Sequence, residues 1–196
     1  FEIALRISGR QFGVTKQKIT FPEGFTNKQM AARLAQTLDS FDEGLFLTLA
    51  HEYEGYLFPD TYHFFPGVTP DAVVTALRQT FDTKTKSIAT ELEHGVRTKK
   101  DVIIMASIIE KEAAGDDDRA MISGILWKRL DQGFPLQVDA PFLYILGKES
   151  KDLTKTDLAI NSPYNTYRYK GLPPTPIGNP GLASIDAALH PKDSPY

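Results

Sequence analysis

Apolar and polar positions change period several times along the chain, and each change marks an element. Lys18-Ile19-Thr20-Phe21 alternates with period two and predicts a strand, which Pro22-Glu23-Gly24 ends. Thr26 with Gln29 three residues on fits a capping box, and Lys28 to Leu38 then places Met30, Leu34 and Leu38 on one helix face. Residues 41–51 read as a second helix. Glu54 to Tyr62 is an aromatic loop kept irregular by Gly55 and Pro59. From Pro70 to about Leu92 the spacing of Val73, Val74, Leu77, Phe81 and Ile88 predicts one long helix. Thr98 to Ala113 gives the clearest helix, capped by Thr98 with Asp101, and Met121 to Asp131 gives another that ends near Gly133. After that the pattern weakens. Residues 135–146 are mixed, 153–159 predict a short turn, and 161–180 form a long Pro- and Gly-rich irregular stretch. Ser184 to Leu189 reads as the last helix. Phe1 to Arg10 alternates only in part and fits either a helix end or a strand of a neighbouring unit. The expected fold class is α+β: a helical core, with a small sheet formed by the late segments and the Pro-rich loop lining one side of a cleft.

Composition narrows the function classes. The chain has 196 residues, 41% hydrophobic and 24% charged, the balance of one globular domain or of a domain with a small appendage. Net charge is −3 without a dense Lys/Arg block, so no nucleic-acid partner is expected. Absence of cysteine excludes disulfides, thiolate nucleophiles and Cys-based zinc sites. No apolar run approaches the roughly 18 residues of a membrane span, and no signal peptide is visible. A first residue other than Met and an abrupt end at Pro195-Tyr196 read as an excised piece, so any membrane anchor is expected in a missing N-terminal segment. His51-Glu52 lacks the second His of a zinc-protease helix, and His63, His94 and His190 are scattered. Neither metal nor cofactor is expected, and EDTA is expected to leave activity unchanged.

The candidate chemistry lies in Met105-Ala-Ser-Ile-Ile-Glu-Lys-Glu112. On a helical wheel Val102, Met105, Ala106, Ile109 and Ala113 form the apolar face. Glu112 falls on one margin beside Met105, Ile108 and Ile109. Glu110 falls on the opposite margin, and Lys111 points outward. A carboxyl group against apolar surface loses hydration, its pKa rises, and it becomes a proton donor near neutral pH. The competing reading is a boundary glutamate paired with a cation such as Arg119. Two further segments carry polar groups for a surrounding cleft. Leu136-Gln137-Val138-Asp139, if extended, puts Gln137 and Asp139 on one face. Ser162-Pro163-Tyr164-Asn165-Thr166-Tyr167 gathers hydroxyl, amide and aromatic groups of the kind that hold sugar rings, although ordinary packing also accounts for a Tyr-rich loop. Gly171-Leu-Pro-Pro174 reads in part as a rigid turn.

Taken in order, these segments resemble the YceG-like (MltG) family of endolytic murein transglycosylases. The matching pieces are Glu54-Gly-Tyr-Leu-Phe-Pro-Asp-Thr-Tyr62, Ala106-Ser-Ile-Ile-Glu-Lys-Glu112, Leu136-Gln-Val-Asp139, Ser162-Pro-Tyr-Asn-Thr-Tyr167, Gly171-Leu-Pro-Pro174, Pro176-Ile177, Asn179-Pro-Gly181 and Ala187-Ala-Leu-His-Pro191. The resemblance spans residues 18–196 and departs from the family pattern at two places. Asp139 is followed by Ala140-Pro141 where the family usually has Pro-Thr, and Pro174 is followed by Thr175 where it usually has Gly.

The resemblance implies a lytic transglycosylase acting on peptidoglycan glycan strands, anchored in the cytoplasmic membrane and facing the periplasm or cell exterior, with peptidoglycan synthases as possible partners. It maps the catalytic acid/base onto Glu112. Gln137, Asp139, Ser162, Tyr164, Asn165 and Tyr167 become the expected substrate-holding residues, with Glu54, Asp60 and Tyr62 as further groove residues. Residues 1–25 are expected to be the remnant of, or linker from, a LysM-like subdomain, and 26–196 a catalytic domain cut short of a C-terminal strand region. Two alternatives share the same cleft: a hydrolytic muramidase using a second carboxylate, for which Asp139 is nearest, and a non-catalytic glycan-binding module of a cell-wall complex.

Overall fold

The computed structural model describes residues 15–148 and 150–193. Strand β1 (Gln17–Thr20) is followed by α1 (Asn27–Thr37) and α2 (Glu43–Ala50). A 3-10 turn over His51–Tyr53 leads through a loop to β2 (Thr61–Phe64), then α3 (Pro70–Lys84) and α4 (Ala89–His94). The second half contains α5 (Lys99–Glu112), α6 (Asp116–Asp131), α7 (Ala140–Leu146), the short α8 (Lys155–Leu158) and α9 (Leu182–Leu189). The class is α+β, as the pattern implied. The sheet, however, is not built from late segments. It is one antiparallel pair, β1 with β2, in the register Gln17 to Phe64 and Thr20 to Thr61. The late segments lack a partner strand; Pro163, Pro173, Pro174, Pro176 and Pro180 remove backbone donors there and keep the chain irregular.

Two apolar clusters share the interior. One joins β1, β2, α1, α2 and the first half of α3 through Ile19, Phe21, Met30, Leu34, Phe46, Leu57 and Leu77. Ile19 and Phe21 are both 2% exposed, so residues 17–21 are part of this packing, with no break at residue 25. Residues 1–14, the greater part of the segment read as a LysM-like remnant, lie outside the described residues. The Thr26 capping box forms as expected: its hydroxyl accepts from Gln29 N–H, and the Gln29 side chain accepts from Thr26 N–H.

The second cluster surrounds α5. Every residue from Val102 to Ile109 is buried, so this helix is the axis of the domain rather than an amphipathic surface helix. It packs against α9, α6 and α7, and Leu126, Trp127, Ile185 and Ala188 complete the jacket. Burial of each large aliphatic side chain here is worth about 1.5–3 kcal/mol. Ser107, also buried, donates to Ile104 O and accepts from Ile177 N–H, which pins the Pro-rich loop to the central helix.

The single long helix expected from Pro70 to Leu92 is broken. At Thr85, ψ is 2° and the side-chain hydroxyl donates to Phe81 O at 2.8 Å. This is the local competition with the helix ladder that threonine is prone to. The bend redirects the chain so that Ile88 and Leu92 reach the cluster around α5.

Candidate active site

Because α5 is buried along its middle, its chemistry resides where it emerges. Glu112 is its last residue, followed by the extended C-cap Ala113. The helical wheel placed Glu112 at the edge of a face; in the structure its position comes from the helix end leaving the core. The carboxylate accepts from Ala140 N–H at 3.3 Å. That donor exists because position 140 is not proline. Burial raises the Glu112 pKa, the Ala140 hydrogen bond opposes the rise, and the negative charge of Asp139 adds to it. The partial negative charge at a helix C-terminus acts in the same direction. Glu112 nevertheless remains open to solvent, so a substrate can reach it.

Glu110, two residues earlier, has a different role. Its side chain is 6% exposed, meets Arg119 at 3.4 Å and accepts from Gly181 N–H at 2.9 Å. Arg119 Nε donates in turn to Ser184 Oγ. The arginine considered as a partner for Glu112 is therefore drawn to Glu110, where it ties α5, α6 and α9 together.

Asp139 and Tyr167 stand beside Glu112. The Tyr167 hydroxyl donates to Asp139 Oδ1 at 2.7 Å. Its pKa is pushed up to about 12 by burial, by that hydrogen bond and by the charges of Asp139 and Glu112. An Asp139→Asn variant removes one negative charge near Glu112, so the Glu112 pKa falls. The alkaline limb of the kcat/KM–pH profile is then expected to move to lower pH; an unmoved limb would show that the two carboxyl groups are uncoupled.

The remaining expected residues divide. Tyr164 faces a cavity of about 580 Å³ that Glu54 also lines. Asn165 does not face substrate, contrary to expectation. It is fully buried; its amide donates to Leu158 O and Ile160 O, and its oxygen accepts from Tyr167 and Arg168 N–H. It staples the loop that presents Tyr164 and Tyr167. Ser162 Oγ accepts from Tyr164 N–H in the same loop. Gln137 and Asp139 do not form the expected extended pair, because Gln137 has φ 57°, which breaks the alternation. The Gln137 side chain accepts from Arg129, while the backbone around it is held by Thr166. Asp60 pairs with Lys84 at 2.8 Å, which holds its carboxyl below the usual range. Tyr62 lies in the β-sheet cluster, donating to Phe58 O. Neither is brought to Glu112; both serve the packing of the strand pair.

Sequence reasoning missed Tyr144 and Thr175. The Tyr144 hydroxyl hydrogen bonds to Glu54, and the Thr175 and Tyr164 hydroxyls are 2.7 Å apart. Nothing in the pattern marks Tyr144. Thr175 was visible only as a departure after Pro174. Among the described residues, no three His, Cys, Asp or Glu side chains gather as a metal cluster, and no helix is long and apolar enough to cross a membrane.

Comparison with known proteins agrees with this arrangement. The chain is 34% identical over 184 residues to the endolytic murein transglycosylase of Bacillus subtilis (strain 168), a match covering 93% of this chain and 47% of that protein. It is 27% identical over 209 residues to the protein of the same name from Streptococcus pneumoniae serotype 2, covering 88% and 38%. The chain thus spans less than half the length of these relatives. A crystal structure of a YceG-like protein from Listeria monocytogenes superposes with a TM-score of 0.83 at 31% identity, over all of this chain and 73% of that one. Residues 2–196 match the YceG-like family, and the chain belongs to that family.

Proposed function

We propose that this domain is the catalytic part of an endolytic lytic transglycosylase. It cleaves the β-1,4 bond between N-acetylmuramic acid and N-acetylglucosamine in peptidoglycan strands. The observation that carries the reading is Glu112: a solvent-reachable carboxyl, raised in pKa by burial, adjoining Asp139 and Tyr167 rather than an arginine. The names of the B. subtilis and S. pneumoniae relatives support the same class.

One carboxyl group serves both half-steps. Glu112 gives its proton to the glycosidic oxygen as the bond to the muramoyl C1 breaks, freeing the 4-hydroxyl of the leaving sugar. The muramoyl 6-hydroxyl attacks C1, and the Glu112 carboxylate takes up its proton. The enzyme is returned to its starting state and the product end is 1,6-anhydro. Asp139 keeps the proton on Glu112 between turnovers and is itself held by Tyr167. The substrate lies outside the cytoplasm, and the membrane anchor belongs to sequence preceding this domain. Peptidoglycan synthases are the natural working partners.

Hydrolysis is the second reading, favoured by one observation: Asp139 is close enough for its charge to act on Glu112, as a second carboxylate that activates water would need to be. Mass spectrometry of strand ends after digestion decides between them. Transglycosylation is expected to leave ends lighter by one water than reducing ends, and uniformly reducing ends would replace the first reading with the second.

A further inference from the structure

The cavity beside Glu54 has no part in the chemistry described for Glu112, yet α7 joins the two. Ala140, at the first turn of this helix, donates to Glu112, and Tyr144, four residues later, reaches Glu54. Four residues of helix advance about 6 Å, so the cavity begins about one sugar ring away from the acid. Its volume is about 580 Å³, within the range of small-ligand sites. One wall combines the tilted rings of Tyr144 and Tyr164, whose centroids are 5.5 Å apart, with the Thr175 hydroxyl between them and Pro176. Aromatic faces beside polar hydrogen-bonding groups are what a pyranose with an amide substituent requires.

Glu54 is fixed in this wall. Asn27 N–H donates to both of its oxygens, at 3.1 and 3.3 Å, and Asn179 Nδ2 approaches at 3.4 Å. We propose that this cavity is a binding subsite for an N-acetylhexosamine unit neighbouring the scissile bond, with Glu54 and Tyr144 addressing its amide and hydroxyl groups. This rests on the glycan-cleaving reading of Glu112 for its place in the groove, though not for binding itself.

Burial pushes the Glu54 pKa up to about 7, against the hydrogen bonds from Asn27 and Tyr144. Below that pH Glu54 is neutral and donates a hydrogen bond. Above it the carboxylate has no proton to donate, and a covering sugar would strip its water. Affinity therefore falls as pH rises through 7. The other titratable or charged groups facing the cavity are Lys28 from α1, His51 and Glu52 from the 3-10 turn, Tyr56, Lys100 from α5, Tyr144 from α7 and Tyr164. Of these, His51 is the type that also changes charge near neutrality.

The test uses the 196-residue chain carrying Glu112→Gln, titrated with the N-acetylglucosamine tetramer and read by NMR shifts of the Asn27 and Thr175 amides. In a His51→Gln background, binding is expected to be about tenfold weaker at pH 8 than at pH 6, the slope of one linked proton. Glu54→Gln keeps an acceptor for Asn27 and a permanent donor. It is expected to bind within about threefold of the parent at pH 6 and to lose the pH dependence. Tyr144→Phe leaves the Asn27 contact untouched, guards against a folding defect in the Glu54 variant, and is expected to weaken binding about 3- to 10-fold. Shifts confined to other surfaces, or a pH slope that survives Glu54→Gln, would overturn the subsite. Retained pH-dependent binding by a protein that yields no anhydro ends would uphold the subsite and sink only the reaction assigned to Glu112.

Discussion

Glu112→Gln is expected to slow release of anhydro-ended fragments by roughly 10²–10⁴-fold, the contribution of a positioned general acid/base. The amide retains the size of the carboxyl group, and its oxygen can still accept from Ala140 N–H, so the fold and strand binding are expected to persist. The loss falls on kcat rather than KM, since the proton is needed only as the bond breaks. Glu110→Gln is the control with the opposite profile. Glu110 is buried between Arg119 and Gly181 N–H, so its substitution lowers stability through an unbalanced arginine while leaving the acid in place. Activity surviving in Glu112→Gln above a few percent of wild type, measured on purified strands, would transfer the acid role elsewhere.

Asn179→Ala is expected to destabilise the domain by about 3–5 kcal/mol, from two buried donors left unpaired at about 1–3 kcal/mol each and the cavity the side chain leaves. Asn179 is fully buried. Its oxygen accepts from Gly55 and Leu57 N–H, both at 2.9 Å, and its amide donates to Phe25 O and Asn27 Oδ1, also at 2.9 Å. These bonds link the late Pro-rich loop to the start of α1 and to the loop carrying Glu54. Gly55 permits the approach: its φ is 89°, and a Cβ there would lie 2.6 Å from Pro176. Against a typical total of about 5–15 kcal/mol, the loss is a large share of stability. It is read as a lower urea midpoint at unchanged slope. A change below about 1 kcal/mol would mean that water replaces the side chain and that the hub is not structural.

Elements with strong local signals were legible. The Thr26 capping box and the Thr98 N-cap are satisfied by residues within one turn, so a window of a few positions contains the information. Where partners are distant, local reading failed. Thr85 has no helix-breaking composition around it; the bend follows from a buried hydroxyl and from the core that Ile88 and Leu92 must reach. β2 lay inside a segment read as loop because its hydrogen-bond partner, β1, is more than forty residues away.

The chain alone determined the α+β class, the helix that ends in Glu112, and the family to which the ordered motifs belong. Those depend on propensity, capping and motif order, which are written locally. Only the tertiary structure decided how polar groups were shared out: Arg119 to Glu110 and not Glu112, Asn165 inward and Tyr167 to Asp139, Tyr144 to Glu54. A buried polar group takes whichever partner the packed backbone brings within about 3 Å, and that neighbour is set by folding rather than by spacing along the sequence.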